Sequence, residues 1–139
     1  MPIELGIAHY TACDTLDLDE KGMLAMGSQV TAVAQKAMFS FVLRLATQSG
    51  VTPWTMLGNG EACSSRSYQG SAIEVLELGP KEAKIVIVAQ PLAAIRYWRG
   101  SLAGIFSALA EAFSHRAFVR ELPYSSRTPH EVSYRLSWV

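Results

Sequence analysis

The residue types best suited to chemistry are concentrated in "RYWR", where Arg96, Tyr97, Trp98 and Arg99 stand directly ahead of a run of small residues with helical spacing. At a helix start the free backbone amides attract anions. An arginine pair beside them makes a bidentate clamp for a carboxylate or phosphate, with the aromatics giving flat apolar contact. The alternative is the polar lip of a packed helix, with Trp98 in the core, Tyr97 half-buried and both arginines paired with glutamates or water. The lip is the favoured reading, and the clamp is the leading site assignment should the chain bind a ligand.

Other constellations carry less. Glu111 and His115, four apart, would share a helical face as a proton-transfer pair or half of a metal site; as a surface contact, His115 sits well near the negative end of the helix dipole. His9 and His130 are isolated in sequence. Ser64, Ser65 and Ser67 lie near no Gly-x-Ser-x-Gly elbow. "GNGEAC" (58–63) lacks a third glycine and follows a helical pattern instead of a strand, so neither a hydrolase triad nor a dinucleotide loop is assembled. Cys13 and Cys63 form no CxxC and read as free thiols. We assign no catalytic residue and no metal ligand.

The elements that must position these residues follow from periodicity. Met23, Met26, Val30, Val33, Met38, Phe41, Val42 and Leu45 recur at three- and four-residue steps, which predicts an amphipathic helix from Asp19 to about Gln48, with Asp17 and Asp19 at its capped start and Gly50 at its end. A short helix is predicted around 9–16, and another from Thr52 and Pro53 to about Tyr68. The period then changes. "AIEVLEL" (72–78) and "EAKIVIVAQ" (82–90), rich in β-branched residues, flank a Gly79-Pro80 turn and predict an antiparallel hairpin. The stripe Trp98, Leu102, Ile105, Phe106, Leu109 and Phe113 predicts a long helix over about 96–115. Its small residues let a neighbouring backbone come close, and for Gly100 and Gly104 we expect that neighbour to be the sheet. "AFVREL" (117–122) and the strictly alternating "VSYRLSW" predict two further strands. The expected fold class is α+β, with N-terminal helices, then hairpin, long helix and hairpin forming a four-stranded, mainly antiparallel sheet.

Composition bounds the function. The chain has 139 residues, enough for one domain with its own core, and we expect a single domain over 1–139, mostly helical over 1–70 and ββαββ over 71–139. Half the residues are hydrophobic and only 17% are charged, which predicts apolar surface hidden in an oligomer or around an apolar ligand. Formal net charge is zero, split as −2 over 1–70 and +2 over 71–139, which argues against nucleic acid. There is no signal-peptide pattern, and the most apolar stretch, "AMFSFVLRLA", is short and broken by Arg44, so we expect a cytoplasmic chain without a membrane span.

The stretch "ELGPKEAKIVIVAQPLAAIRYWRGSLAGIFSALAEAFSHRAFVRELP" followed by "SYRLSW" resembles the C-terminal part of the superfamily of 4-vinyl-reductase-type small-molecule-binding domains and haem nitric-oxide/oxygen-binding domains, with their bacterial relatives. The resemblance covers about residues 72–139 and implies a sensor-like, ligand-binding domain. The haem-binding branch carries a Tyr-x-Ser-x-Arg signature and a helical histidine that ligates iron. Here the nearest segment is "YWRGS", with Tyr97, Arg99 and Ser101 in exchanged order, and no histidine occurs between His9 and His115. No cysteine follows Cys63, so the cysteine-rich metal motif of the other branch is missing as well. We therefore expect no cofactor.

These readings combine into a noncatalytic small-molecule-binding or regulatory domain, forming a homodimer. Its apolar pocket would lie between the N-terminal helices and the sheet, lined by Met38, Phe41, Leu45 and Phe106, with Arg96, Tyr97, Trp98 and Arg99 at the mouth for a small apolar or anionic ligand. Three alternatives stand beside it: an interaction module without a small ligand, haem binding, and an acid–base enzyme using Glu111 with His115 or Tyr97 with Arg99.

Overall fold

Two-residue alternation builds the sheet. In the computed structural model, which describes residues 2–34, 53–58, 71–124, 127–128 and 130–139, four strands form: β1 (Ala72–Gly79), β2 (Glu82–Val88), β3 (Ala117–Glu121) and β4 (Val132–Trp138). All pairings are antiparallel and the order is β1-β2-β4-β3, so the two hairpins join through their inner strands, β2 and β4. Along β4, Val132, Tyr134, Leu136 and Trp138 are buried, while Ser133, Arg135 and Ser137 face the other side. Registers carry that division across the sheet. Ile85 pairs with Tyr134 and Val119 with Leu136 on the core face, whereas Lys84 and Arg120 each pair with Arg135 on the outer face.

Helices cover the core face. α1 spans Ile3–Asp14, α2 Glu20–Ala34, α3 Pro53–Gly58 and α4 Arg96–Glu111. The expected short helix around 9–16 thus begins earlier. Of the helix expected to reach Gln48, the part beyond Ala34 lies outside the described residues, as does the stretch from 59 to Tyr68. The Asp19 carboxylate accepts the Gly22 N–H at 2.7 Å, the cap expected at the start of α2. A 3₁₀ turn over Pro91–Ala94 precedes α4 and was not foreseen; the Gln90 side chain caps it by accepting the Leu92 N–H at 3.2 Å.

α4 contributes Trp98, Ala103 and Ala110 to a cluster with Ile85, Ile87, Leu92, Tyr134 and Leu136, and the Phe106 ring meets Tyr134 edge-on at 5.5 Å. Its opposite face receives α2. A Cβ on Gly27 would overlap the Ser101 carbonyl, one on Gly104 would stand 2.9 Å from the Leu24 carbonyl carbon, and Gly100 abuts Met23. The small residues of α4 therefore serve a helix–helix crossing. This corrects the expectation that Gly100 and Gly104 meet the sheet: the sheet side is filled by large residues, and only the glycine side lets a second backbone approach.

Candidate functional site

The four residues of "RYWR" open α4, and each finds its partner inside the protein. α4 has no side-chain cap of its own at Ile95. Instead the Asp14 carboxylate, from the last turn of α1, accepts the Tyr97 N–H at 3.2 Å. The anion that the free amides of a helix start attract is thus supplied by the chain itself. The Arg96 guanidinium donates to the Leu18 carbonyl at 2.6 Å and lies 3.5 Å from the Asp17 carboxylate, tying down the α1–α2 turn, in which Asp17 has a φ of 49°. Tyr97 is buried, with its ring 6.3 Å from that of Tyr10; burial, then the neighbouring Cys13 thiol, raise its phenol above the ordinary 10.0. Trp98 belongs to the core.

Arg99 points elsewhere. Its Nε donates to the Glu121 carboxylate at 2.7 Å, a terminal nitrogen donates to the Ala93 carbonyl at 2.8 Å, and its guanidinium lies 4.1 Å over the Tyr124 ring. Its own carbonyl accepts the Tyr134 hydroxyl at 2.7 Å. Burial, aided by the Glu121 charge and opposed by Arg99, pushes that phenol well above 10.0. Arg96 and Arg99 therefore bind different elements, the first the α1–α2 turn and the second β3. Each acts as a brace, meeting a carboxylate and a carbonyl of the fold.

The remaining predicted residues are dispersed. Phe106 is half-buried against the core, while Met38, Phe41 and Leu45 lie outside the described residues. α4 ends at Glu111, so His115 falls in the turn beyond it and donates its backbone N–H to the Val139 carbonyl at 2.8 Å; the two residues do not share a helical face. His130 is exposed in the β3–β4 loop. Cys13 is a free thiol, with Sγ 3.8 Å from His9 Nε2 one turn earlier. Their four-residue spacing, one helical turn, is the sequence signal of this contact. Among the described residues no group of three or more His, Cys, Asp or Glu could hold a metal ion, and no helix is long and apolar enough to cross a membrane.

No family model matches the sequence, and no curated protein matches it. Similarity to solved structures is clear, however. An Fe(II) unliganded H-NOX protein from K. algicida superposes with a TM-score of 0.62 at 13% identity, over 91% of this chain and 66% of that one. The fold is that of the H-NOX domains. A variant H-NOX from T. tengcongensis gives a TM-score of 0.60 at 10% identity, over 90% of this chain and 66% of that one, so the chain spans just under two thirds of these H-NOX chains. A trafficking protein particle complex subunit 3 from Naegleria fowleri, covalently bound to palmitic acid, gives 0.55 at 13% identity, over 99% of this chain and 95% of that one. The H-NOX-like fold bears out the haem nitric-oxide/oxygen-binding side of the expected resemblance at the level of fold; the 4-vinyl-reductase side gains no sequence-family support.

The residues present do not fit a haem held by Tyr-x-Ser-x-Arg and a helical histidine. Tyr97 is turned to Cys13, Arg99 is bound to Glu121, and the buried Ser101 hydroxyl donates to the Trp98 carbonyl at 3.1 Å. His9, His115 and His130 are all exposed, none of them on the core face of α4.

Proposed function

We propose that this chain is a cytoplasmic, noncatalytic, sensor-like domain that binds a small apolar ligand other than haem. The carrying observation is the fold, which resembles that of H-NOX proteins, a family in which haem distortion is studied, and that of a subunit covalently bound to palmitic acid; this likeness supports an apolar guest. Leu102 and Phe106 of α4 and Ile73 and Val75 of β1 are half-buried hydrophobics packed against the core, and they are the described side chains to line such a guest. Should the ligand carry an anionic end, Arg96 meets it, since Leu18 and Asp17 use only part of a guanidinium with five donors.

The test is a native mass spectrum of freshly purified protein, followed by organic extraction. A mass above the polypeptide that is lost on denaturation supports the reading and gives the ligand's weight; bare polypeptide, unchanged after incubation with palmitate, overturns it. A homodimeric interaction module is the second reading, favoured by the exposure of Leu5, Leu16, Met26 and Val30 on and beside α1 and α2. The same spectrum reads it as a dimer mass.

A further inference from the structure

The outer face of the sheet carries a line of charge of which the fold pairs only the middle member, Arg135. Strand registers place Lys84 of β2 beside Arg135 of β4, and Arg135 beside Arg120 of β3, so three cations sit directly opposite one another on three adjacent strands, with Leu76 of β1 completing the row. Like charges facing across strands destabilise a sheet. One offset exists: Glu82 pairs with Arg135. Among the described residues Lys84 and Arg120 have no ion-pair partner, and Arg120 and Arg135 are exposed.

The rows on either side are different. One runs Glu74, Val86, Ser133, and the other Gly79, Glu82, Ser137, Phe118. Each contains a carboxylate, and with Arg116 over Phe118 at one end of the second row, positive charge is concentrated along the middle row perpendicular to the strands. A lipid surface or a nucleic acid would lay phosphates over the acidic rows as well. A single helix would not. Adjacent strands are about 4.8 Å apart, and carboxylates three or four residues apart on a helix are about 5–6 Å apart. One acidic helix face laid along the row therefore meets Lys84, Arg135 and Arg120 in succession. Exposed apolar groups flank this track: Leu76 is 42% and Phe118 50% exposed, with the Arg116 guanidinium 5.0 Å over the Phe118 ring.

We infer that this face docks an acidic amphipathic helix of a protein partner, lying across the strands along Leu76, Lys84, Arg135 and Arg120 with apolar contacts to Leu76 and Phe118. The inference is independent of the ligand reading. It also gives a location to the +2 excess of the second half of the chain.

The test is fluorescence anisotropy of the full chain against three probes: a labelled helical peptide with glutamate at every fourth position along a leucine-bearing face, a scrambled peptide of the same composition, and vesicles of mixed phosphatidylserine and phosphatidylcholine. The patterned peptide is expected to bind, and the scrambled one to bind at least about tenfold more weakly. Lys84→Gln with Arg120→Gln weakens the patterned peptide by about tenfold, roughly threefold for each exposed pair removed. Both side chains lack an ion-pair partner among the described residues and face Arg135, so the double variant keeps or raises its melting temperature; Glu74→Gln, which removes a bordering carboxylate, tightens binding. Equal affinity for both peptides, no binding, or an affinity indifferent to the double variant overturns the inference. Vesicle binding that depends on Lys84 and Arg120 without peptide binding also overturns it and assigns the face to lipid.

Discussion

Replacing Gly27 by alanine tests the α2–α4 crossing directly. The added Cβ would overlap the Ser101 carbonyl oxygen and stand 2.7 Å from its carbon, and both atoms are backbone that no rotamer change can move. Overpacking costs about 1–3 kcal/mol where side chains can give way; with backbone opposite, the upper figure applies. Alanine returns about 1 kcal/mol of helix propensity over glycine. The net loss is about 2 kcal/mol, and at about 4 °C per kcal/mol for a chain of this size the melting temperature falls by roughly 8 °C. Gly104→Ala meets the Leu24 carbonyl and the Ser28 nitrogen and behaves alike. Because one shift of α2 relieves both clashes, the double variant loses less than the two singles added. Gly22→Ala is the control. Its Cβ would stand 2.9 Å from Asp19 Oδ1, the side-chain oxygen that accepts the Gly22 N–H as the cap of α2, so the cap bond weakens while alanine adds about 1 kcal/mol of helix propensity, and the melting temperature changes by far less than in Gly27→Ala. Thermal unfolding followed by circular dichroism reads all four proteins. Gly27→Ala melting with or above Gly22→Ala would refute the close crossing.

Three further outcomes are expected. The Tyr134 phenol is raised above 10.0, so the folded state holds its proton more tightly than the unfolded one; this contribution is complete below pH 10 and is lost as pH rises through the folded value. Urea unfolding across pH 8–11 will therefore show an alkaline fall in stability that Tyr134→Phe reduces, at the cost of about 1 kcal/mol at neutral pH for the lost bond to the Arg99 carbonyl. Arg99→Ala removes bonds to Glu121 and Ala93 in a part-buried site and costs about 2–3 kcal/mol; Arg99→Lys does not rescue it, because an ammonium lacks the planar fork that spans both acceptors. Arg96→Ala, at a side chain 44% exposed, costs about 1 kcal/mol or less by the same chemical denaturation.

What the sequence made legible was local. The alternation of "VSYRLSW" defines β4 to the residue, and the Trp98 to Phe106 stripe places the core face of α4, because both patterns are set by one element against one neighbour. What it hid was non-local. The partners of "RYWR" lie far back in the chain: Leu18 is 78 residues from Arg96, and Asp14 is 83 from Tyr97. No periodicity announces that an acidic turn after α1 will dock on a helix start near residue 96. The basic row was equally out of reach, since Lys84, Arg120 and Arg135 each read as a solvated strand residue until β2 and β4 are known to be neighbours. Three of the four predicted pocket-lining residues, Met38, Phe41 and Leu45, lie outside the described residues, while Phe106 is placed against the core.

The strand order has a consequence for how the molecule is made. β1 and β2 can close as a hairpin as soon as both have left the ribosome, but the inner edge of β2 then waits, through the synthesis of α4 and β3, for β4 to pair with it. During that interval a row of unsatisfied amides and carbonyls borders Ile85 and Ile87, two of the most apolar positions in the sheet. The nascent chain is thus most vulnerable to intermolecular strand pairing just before its sheet is completed. Lys84, with its charge beside that open edge, stands where a gatekeeper against such pairing is needed.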